Sequence, residues 1–516
     1  MGSVSVLLWN RVSSQDLGPF KGYVEVDIAE VVKRQPNMVL VYDSSMYLPF
    51  WTLALEKAGW HFRYHIVVYF ESFIGYPLRS HVAIGVYYKD RLQINKVRVP
   101  HKKCAFCGDW LKDYGGKKHL MHPEGAMLSD VWRHLELTQS EVLGEGLSQK
   151  LLLEVQKLLG DFTLIPVSRK IYRDSDRVEE ENKVNSLEVE SSLIVGDCVE
   201  VLSELPDNCI DMIFVDPPYN LGKAYKDYKD KRDDYKEWTI RWLKECFRVL
   251  KPQGSLFYLN IPQNAHSIVP ELLKDYWLVD WFVWESAGEP RGKLIPAHYS
   301  LLWFSKSPHP VVYSLPAEQD SDRYCLRGKC KAMRKLLQVQ DKIEVCNVRW
   351  DIHRVKHSSK RLDHPTQLPE KLCDFLIRLT TKEGDMVLDP MMGVGVFPYT
   401  AKLLGRRFIG IDISSEYVLQ AKERLLNETS FTTYLKDKGR KKLSKKQIQI
   451  KVGELAFLIR RLPTLQEISD YLEVSQKELL EMFGSYSRIV KYAKLIIQRE
   501  VFHGNLSTFS MGKVPH

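Results

Sequence analysis

A short apolar segment that ends in two prolines places the strongest constraint on how this chain folds. Residues 212–215 are apolar, and their length and composition are typical of a buried parallel strand. The sequence then reads Asp216-Pro217-Pro218-Tyr219. Because proline donates no amide hydrogen and has a fixed φ, the chain must leave the sheet at this point. The segment therefore puts a carboxylate, backbone carbonyls and an aromatic ring at the carboxyl end of a strand, where open α/β sheets bind ligands.

These groups suit a planar base that carries an exocyclic amino group. The carboxylate of Asp216 and the carbonyl of Pro217 can accept the two amino hydrogens, while the ring of Tyr219 stacks on the base. The alternative is a turn whose only role is to end the strand. The neighbouring motifs favour the functional interpretation.

A second constraint comes from a loop that contains two glycines. Residues 385–389 are predicted as a strand that ends in Asp389, and Pro390 leads into Gly393-Val-Gly395 before a helix. Glycines at such a place let the backbone turn tightly and approach a ligand closely. About twenty residues later another strand ends in Asp412, which is placed to accept hydrogen bonds from ribose hydroxyls. The alternative role for Asp412 is to cap the helix that follows it.

Together these motifs resemble the S-adenosylmethionine-dependent DNA methyltransferases that methylate adenine N6 or cytosine N4. In the β arrangement of that family the Asp-Pro-Pro-Tyr motif precedes the glycine loop, as it does here, and residues 364–369 resemble the segment that closes over the cofactor. The resemblance covers residues 191–430 and implies an α/β, Rossmann-like fold with a mixed, mostly parallel sheet. The sequence departs from the family pattern where a Phe, two hydroxyl residues and a Lys are usual, at Met391, Val394, Val396 and Leu368.

The resemblance also implies a role for each matching residue. The motif Asp216 to Tyr219 is catalytic, and no metal is expected. The residues implied to bind S-adenosylmethionine are Asp389, Pro390, Gly393 and Gly395 at the methionine part, Asp412 at the ribose, Asp197 and Cys198 at the adenine ring, and Thr366 and Gln367 at the carboxylate.

The expected enzyme is a site-specific DNA methyltransferase that acts on adenine N6 of a base flipped out of double-stranded DNA. Asp rather than Ser at position 216 favours adenine by analogy with the family, and cytosine N4 is the closest alternative. A catalytically silent DNA-binding protein is a second alternative. Methylation of protein glutamine is a third, but its related tetrapeptide usually begins with Asn and follows the cofactor loop. The expected partners are DNA and, in a restriction-modification system, a cognate endonuclease.

Composition limits the class of protein. A chain of 516 residues is long enough for about two or three domains. The net charge of +9 permits a polyanionic partner. The nine scattered cysteines indicate a reducing compartment. The first residues lack the cationic start of a signal peptide, and no apolar stretch approaches the roughly 20 residues that span a bilayer. We therefore expect a soluble, cytoplasmic protein with no membrane partner.

The first 165 residues repeat the order of elements in the catalytic region. A strand, a helix and two further strands are predicted over 36–88 and again over 254–304. We interpret 1–165 as a degenerate, non-catalytic copy of the α/β half-domain. An unrelated α/β extension is the alternative. Residues 166–190 are strongly charged and are predicted as the linker to the catalytic domain, 191–430.

Each copy is followed by a pair of cysteines and then by a segment with a tryptophan. The first pair, Cys104 and Cys107, precedes His119 and His122. Two cysteines followed by two histidines partly match the spacing of zinc ligands. The interval to the first histidine is unusual, however, and the second pair, at 325 and 330, keeps neither the spacing nor the histidines. The sequence therefore favours reduced structural cysteines over zinc ligands.

Two further segments are predicted to contact DNA. Residues 306–361 correspond to the family's target-recognition region and combine many basic side chains, Arg334 among them, with Tyr324 and Trp350. A solvated basic loop is the alternative. Residues 431–516 are predicted as a basic linker and a small helix-turn-helix-like domain, with helices over 463–472, 477–483 and 486–501. The alternative for this domain is a helical bundle that only packs on the enzyme.

Overall fold

The structure is a computed structural model in which the chain forms two compact units. The first unit contains Met1–Pro100, His122–Gln319 and Glu344–Glu428, and the second contains the intervening segments and the carboxyl-terminal residues. Within the described part of the chain, no helix has both the length and the apolar character that crossing a membrane requires. The structure describes residues 5–74, 79–111, 119, 121–144, 146–173, 190–222, 230–286, 292–314, 318–325, 327–353, 368–426, 445, 448–449, 452, 462–472, 475–491 and 493–494.

The amino-terminal part of the first unit is built on one sheet of apolar strands. Consecutive residues of a strand point to opposite faces, and both faces of this sheet are covered by buried apolar side chains. The elements in chain order are β1 (Ser5–Trp9), β2 (Gly22–Val26), α1 (Ala29–Arg34), β3 (Met38–Asp43), α2 (Leu48–Lys57), β4 (His61–Ile74), β5 (Arg79–Tyr88), β6 (Arg98–Val99), β7 (Ala126–Met127), β8 (Val131–Leu137), α3 (Gln139–Leu143), α4 (Gln149–Leu159), β9 (Phe162–Pro166) and β10 (Arg169–Arg173).

The main sheet of this part has the strand order β8-β4-β5-β3-β1-β9. Strand β1 is parallel to β3 and β9, and β8 is parallel to β4. Strand β5 is antiparallel to both of its neighbours, β3 and β4. The strands and helix predicted over 36–88 are confirmed.

Strand β10 corrects the predicted start of the linker. Its residues lie inside the predicted linker 166–190, yet they pair antiparallel with β2. Arg169 is fixed there by ion pairs with Asp16 at 2.8 Å and Asp43 at 3.3 Å. Charge composition alone suggested a linker, but these charges are paired within the fold. Residues 174–189 of the predicted linker lie outside the described residues.

The part predicted to be catalytic follows the same α/β alternation, as expected. Its elements in chain order are β11 (Ser192–Val195), α5 (Cys198–Ser203), β12 (Ile210–Val215), α6 (Tyr235–Val249), β13 (Leu250–Asn260), α7 (Pro262–Leu272), β14 (Trp277–Glu285), β15 (His298–Ser305), β16 (Glu318–Asp320), α8 (Gly328–Leu336), β17 (Lys342–Glu344), β18 (Val348–Arg349), α9 (Glu370–Thr380), β19 (Met386–Asp389), α10 (Val396–Leu403), β20 (Arg407–Asp412) and α11 (Ser415–Leu426).

The catalytic sheet has the strand order β11-β20-β19-β12-β13-β15-β14-β18. Neighbouring strands from β11 to β13 are parallel, whereas β15 is antiparallel to β13 and β14. The prediction of a mixed, mostly parallel sheet is confirmed. Strand β13 begins directly after α6 and continues through Pro252 and Gly254, where its register with β12 shifts. These two residues therefore mark an irregular strand start as well as the end of the helix.

Six strands of the catalytic sheet match the amino-terminal sheet in order and direction. The series β18-β14-β15-β13-β12-β19 corresponds to β8-β4-β5-β3-β1-β9. The first strand of each antiparallel pair also shifts register at the same place, between Phe62 and Tyr64 in β4 and between Leu278 and Asp280 in β14.

The two sheets share one compact unit because buried polar groups join them. Helices α2 and α7 pack together, and Thr52 Oγ1 lies 2.7 Å from His266 Nδ1. The other nitrogen of His266 lies 2.8 Å from His65 Nδ1. The predicted division between residues 165 and 191 is therefore not a boundary between compact units.

The second unit contains α8, the segment around Cys104, and three carboxyl-terminal helices. These helices are α12 (Leu465–Leu472), α13 (Gln476–Phe483) and α14 (Tyr486–Ile489). The first two predicted helices are confirmed, whereas the third, predicted over 486–501, ends at Ile489 with Val490 as its C-cap. Thr464 and Glu467 fix the start of α12 as a capping box, since the Thr464 amide donates to Glu467 Oε2 at 2.7 Å and the Glu467 amide donates to Thr464 Oγ1 at 3.2 Å. Apolar residues of the three helices form a common core.

Candidate active site

Four parallel strands bring acidic side chains to one edge of the catalytic sheet. Asp389 and Asp412 are the last residues of β19 and β20, Asp216 directly follows β12, and Asp197 lies two residues beyond the end of β11. In the sheet these strands are consecutive neighbours in the order β11-β20-β19-β12. Since parallel strands end on the same side, the predicted catalytic motif and these three predicted cofactor residues, Asp197, Asp389 and Asp412, occupy one sheet edge.

The Asp-Pro-Pro-Tyr turn is held by hydrogen bonds at both of its ends. Tyr219 Oη donates to Asp216 Oδ1 at 2.5 Å. The carbonyl of Pro218 accepts from Tyr235 Oη at 2.8 Å, and the carbonyl of Tyr219 accepts from Asn264 Nδ2 at 3.0 Å. With these carbonyls engaged, the turn has a fixed shape that presents the Asp216 side chain at the sheet edge.

Three residues that support the turn were missed by the sequence reasoning. Tyr235, at the start of α6, donates to the turn and accepts from Asn260 Nδ2 at 3.0 Å. Asn260 ends β13, and its Oδ1 accepts from Asn264 at 2.8 Å. A polar residue at the end of a buried strand, followed by Pro262 at a helix start, was the available indication that β13 contributes to the same edge.

Aromatic rings continue from the turn across the antiparallel end of the sheet. The ring of Tyr219 lies 5.6 Å from that of Tyr299, and Tyr299 lies 5.4 Å from Trp284. Tyr219 itself is 8% exposed. Such a row of π-systems is suited to contact the face of a planar ring.

The residue after the turn is held in an uncommon backbone conformation. Asn220 has φ +61°, in the left-handed region that Asn tolerates better than most residues. Its side chain bonds both backbone groups of Arg232, accepting from the amide at 2.8 Å and donating to the carbonyl at 3.0 Å. These bonds hold the backbone that follows the predicted catalytic motif in place at Asn220. Residues 223–229 lie outside the described residues.

The glycine loop is shaped by its conformation and by a carboxylate from the next strand. Gly393 and Gly395 have φ of +52° and +71°. A Cβ on Gly395 would lie 2.5 Å from the Cβ of Ala421, so α11 leaves no room for a side chain. Asp412 Oδ2 accepts from the Gly393 amide at 2.8 Å, and Oδ1 accepts from the Ser414 amide at 2.9 Å. Asp412 therefore fixes the loop and also bonds the chain that enters α11.

Three carboxylates of this edge influence one another. Burial raises the pKa of Asp389 well above its usual range, against a hydrogen bond from the Met391 amide, and the carboxylates of Asp216 and Asp412 raise it further. Asp389 accepts from the Met391 amide at 3.1 Å. A positively charged ligand beside these carboxylates would lower the pKa of Asp389 again.

Of the remaining predicted cofactor residues, three are described by the structure and two are not. Asp197 caps α5 by accepting from the Val199 amide at 2.8 Å, and Cys198 is buried beside it. Burial raises the pKa of Cys198 to about 12, with the carboxylate of Asp197 adding to the effect. Pro390 follows Asp389 into the glycine loop. Thr366 and Gln367 lie outside the described residues.

Two side chains of the predicted target-recognition region are buried and cannot contact DNA as expected. Trp350 is 8% exposed and packs edge-on to Tyr69 at 5.3 Å, with Arg133 over its ring. Arg334 is 1% exposed and is paired with Asp341 at 2.7 Å. Composition identified basic and aromatic residues in 306–361, but it did not reveal which of them have partners inside the fold.

Part of the chain is similar in sequence to known DNA methyltransferases. The family model for N6/N4 methyltransferases, described as DNA methylase, matches residues 210–423. The Type II methyltransferase M.HpaI of Haemophilus parainfluenzae is 36% identical over 250 residues, which cover 46% of this chain and 76% of that protein. M.BamHI of Bacillus amyloliquefaciens is 35% identical over 48% of this chain and 58% of its own length. The DNA adenine methyltransferase YhdJ of Escherichia coli K12 is 31% identical over 45% of this chain and 82% of its own length.

Solved structures of such enzymes also resemble part of the chain. The PvuII DNA methyltransferase (cytosine-N4-specific) covers 48% of this chain and 91% of its own, with 19% identity and a TM-score of 0.34. The M1.HpyAVI–SAM complex covers 46% of this chain and 98% of its own, with 21% identity and a TM-score of 0.34. On the family match and the curated relatives, the chain belongs to the S-adenosylmethionine-dependent DNA methyltransferases that act on exocyclic amino groups, the family of the Type II restriction-modification methyltransferases.

Proposed function

We propose that this protein transfers a methyl group from S-adenosylmethionine to adenine N6 of a base flipped out of double-stranded DNA, at a specific site. One observation carries the proposal. The Asp216–Tyr219 turn and the Gly393–Gly395 loop lie on adjacent parallel strands, β12 and β19, at one sheet edge. A methyl donor bound at the loop and an amino group bound at the turn would therefore be neighbours.

The chain's own residues would position the amino nitrogen. Its lone pair is delocalised into the ring, which makes it a poor nucleophile. Hydrogen bonds to the Asp216 carboxylate and the Pro217 carbonyl would favour a more tetrahedral nitrogen and aim its lone pair at the donor methyl, mainly a positioning effect. Tyr219 would stack on the flipped base, whose unstacking costs roughly a few kcal/mol. The Tyr219 hydroxyl now bonds Asp216 and would yield that oxygen to the amino group.

The proposed cofactor residues suit a cation. S-adenosylmethionine carries a sulfonium and an ammonium group, and a cation beside Asp389 would oppose the effect of the Asp216 and Asp412 carboxylates, which raise its pKa. We assign Asp389, Pro390, Gly393 and Gly395 to the methionine part of the cofactor. Asp412 is assigned to the ribose, and Asp197 with Cys198 to the adenine ring. Thr366 and Gln367 are proposed for the carboxylate from the sequence alone.

Mass spectrometry of nucleosides tests the reaction and the target base together. Unmethylated plasmid DNA is incubated with the protein and S-adenosylmethionine, with Asp216→Ala in parallel. N6-methyladenine that is absent with the variant supports the proposal. N4-methylcytosine would instead support the second candidate, cytosine N4, which the matching family model also covers. Absence of any methylated base, together with no binding of the cofactor in a titration, would support a silent DNA-binding protein. A restriction endonuclease that cuts the unmethylated plasmid but not the methylated plasmid would be identified as the partner.

We further propose that residues 1–165 are a degenerate copy of the catalytic half-domain. The register of the strands makes His81 equivalent to His298, since they face Tyr69 and Glu285 at matching positions of the two antiparallel pairs. By the same register Asp130 is equivalent to Asn347, each preceding the short strand that pairs with β4 or β14.

The equivalent residues contact each other across the two copies in a reciprocal way. His298 Nδ1 lies 3.1 Å from Asp130 Oδ2, and His81 Nδ1 lies 3.1 Å from Asn347 Oδ1. Backbone amides make a matching pair of contacts. The Ala297 amide donates to Asp130 at 2.8 Å, and the Ser80 amide donates to Asn347 at 3.1 Å. Reciprocal contacts of this kind are typical of a two-fold interface between identical subunits.

The first copy would thus take the place of a second subunit. Register puts Trp9 at the position of Asp216 and Leu164 at that of Asp389, so the first copy lacks the proposed catalytic and cofactor carboxylates. Light scattering tests this directly. A monomeric mass, with and without DNA, is expected, together with one bound S-adenosylmethionine per chain by calorimetry. A stable dimer, or two bound cofactors, would contradict it.

We also propose that the carboxyl-terminal helices bind DNA as a helix-turn-helix. Only three residues of the sequence separate α12 from α13, and Lys491 and Lys494 are exposed beyond α14. Replacing both lysines by Ala should weaken DNA binding. The slope of log affinity against log salt concentration should also fall by about two, because about two fewer counterions are released. Replacing Lys33 and Lys57, which are exposed on or at the end of other helices, is the charge-matched control. Equal salt slopes for both double variants would favour a bundle without DNA contacts.

A further inference from the structure

Four cysteines from two distant segments converge within the second unit. Cys104 and Cys107 follow the amino-terminal sheet in sequence, whereas Cys325 and Cys330 belong to the interval 306–361. Their four sulfur atoms all lie within 4.8 Å of one another. Cys104 Sγ lies 3.8 Å from Cys330 Sγ, and Cys107 Sγ lies 3.8 Å from Cys325 Sγ.

We propose that these four thiolates bind one Zn²⁺ ion as a structural site. Zinc with four cysteine ligands is tetrahedral with Zn–S bonds of about 2.3 Å, which places neighbouring sulfurs about 3.8 Å apart. Two of the sulfur pairs in this cluster have that separation. A disulfide would require sulfurs about 2.05 Å apart. An all-sulfur donor set also favours zinc over magnesium or calcium, which prefer oxygen.

The backbone around the first pair is folded into a turn that directs both side chains to one point. The Gly108 amide donates to the Cys104 carbonyl at 2.9 Å, and Gly108 has φ +69°, which favours glycine. The Cys104 amide donates to the Asp109 carbonyl at 2.7 Å. The Cys325 amide donates to Cys104 Sγ at 3.3 Å, so the second segment already bonds a sulfur of the first.

Two arginines place guanidinium groups against the thiols, and each is also paired with an aspartate, Asp341 or Asp109. A zinc ion with four thiolates has a net charge of −2, and such sites depend on the groups that surround their ligands. Arg334 Nη1 donates to Cys330 Sγ at 3.0 Å and is buried. Arg327 Nη1 lies 3.8 Å from Cys107 Sγ. These contacts explain why Arg334 is buried rather than directed to DNA.

The thiol contacts are reciprocal, like the contacts between equivalent residues of the two sheets. The first cysteine of each pair lies against the second cysteine of the other pair. Each copy of the proposed duplication thus supplies one pair of ligands. The ion would cross-link residues 104–107 to 325–330 and so fix the interval that the family uses for target recognition.

Metal analysis of the full-length protein, purified without a metal-affinity step, tests the site. We expect one zinc per chain by mass spectrometry, released when a mercurial reagent modifies the thiols. Cys107→Ser should lose most of this zinc. The matched control is Cys209→Ser, a half-buried cysteine outside the cluster, which should keep one zinc per chain. Zinc retained in full by Cys107→Ser, or absent from the wild type, would overturn the proposal.

A cobalt spectrum decides the geometry independently of folding of the variant. Wild-type protein is stripped of metal and titrated with Co²⁺ under reducing conditions. Four thiolates should give the charge-transfer and visible d–d bands of tetrahedral cobalt, saturating at one ion per chain and displaced by zinc. A spectrum without thiolate bands, or reaction of all four cysteines with a thiol reagent in the untreated native protein, would contradict a zinc tetrathiolate.

Discussion

The Gly393 amide donates a hydrogen bond to the Asp412 carboxylate at 2.8 Å, which ties the glycine loop to the end of the neighbouring strand. The adjacent backbone reinforces this link, since the Met392 amide donates to the Ile411 carbonyl at 2.9 Å. Asp412 also bonds the Ser414 amide at 2.9 Å. The two roles considered for this residue, a ligand residue and a helix cap, are therefore compatible, because one carboxylate has enough acceptor sites for both.

Asp412→Ala should weaken the binding of S-adenosylmethionine by about 10- to 100-fold, equivalent to about 1.4–2.8 kcal/mol. The variant leaves the Gly393 amide without its acceptor and removes the proposed ribose contact. Isothermal titration calorimetry measures the change.

Asp211→Ala is the matched control for this variant. Asp211 is also an aspartate of the catalytic sheet that accepts from an amide of a neighbouring strand, Met386, at 2.9 Å. It lies near the start of β12, at the opposite edge from the site. It should lower the stability of the protein without changing cofactor affinity. Equal losses of affinity for both variants would show that Asp412 acts only through the fold.

Gly395→Ala should destabilise the protein more than Gly405→Ala. Both glycines have positive φ, +71° and +74°, so both substitutions incur backbone strain of about 1–3 kcal/mol. Only at Gly395 would the new methyl lie 2.5 Å from Ala421 Cβ; at Gly405 the nearest atom is Glu383 Cγ at 3.4 Å. The crowding should add about 1–3 kcal/mol, measured by urea unfolding. Equal stability of the two variants would mean that α11 moves away from the new methyl group without lowering the free energy of unfolding.

The sequence predicted the site's strand-end residues because local rules govern them. Two prolines must end β12, and a glycine pair must follow β19, whatever the rest of the chain does. The supports of the motif were not predictable in this way. Tyr235, Asn260 and Asn264 come from an adjoining helix, strand and helix, and only the packing of those elements shows that they converge on the catalytic turn.

Long-range pairing explains the other differences. Arg169 resembles a linker residue until Asp16 and Asp43 are seen beside it, 153 and 126 positions earlier in the chain by residue number. Cys104 and Cys107 were predicted as reduced structural cysteines, and the sequence could not show that they meet the thiols at 325 and 330, which are more than 200 residues away. The sequence shows residue types but not which distant partner each of them meets.

His81→Asn should make the protein less sensitive to acid. Burial lowers the pKa of His81 to about 4, with His298 adding to the effect and the Asn347 hydrogen bond opposing it. In the unfolded chain its pKa is about 6.5. Between these values the unfolded state binds more protons, so the folded state loses stability as the pH falls from about 6.5 towards 4, and there is no such loss above 6.5.

Urea unfolding between pH 4.5 and 7.5 measures this effect as a difference between the two proteins. At pH 7.5 the variant should be less stable, because its shorter side chain replaces a buried ring. Below pH 6.5 the difference should shrink by about 1.4 kcal/mol per pH unit, since only the wild type has this histidine to protonate on unfolding. Parallel stability curves over the whole range would contradict the burial of a neutral His81.

Tyr219→Ala should lower kcat/KM for DNA by about 5- to 150-fold, because stacking of a base on an aromatic ring contributes about 1–3 kcal/mol. Tyr219→Phe is the matched variant. Both substitutions remove the hydroxyl that donates to Asp216 at 2.5 Å, but only Ala removes the ring. Phe should therefore retain activity within a few-fold of the wild type. Methyl transfer from labelled S-adenosylmethionine measures the rates, and cofactor affinity should be unchanged in both. If Phe is as inactive as Ala, the hydroxyl rather than the ring is the essential group, and the stacking role assigned to Tyr219 is wrong.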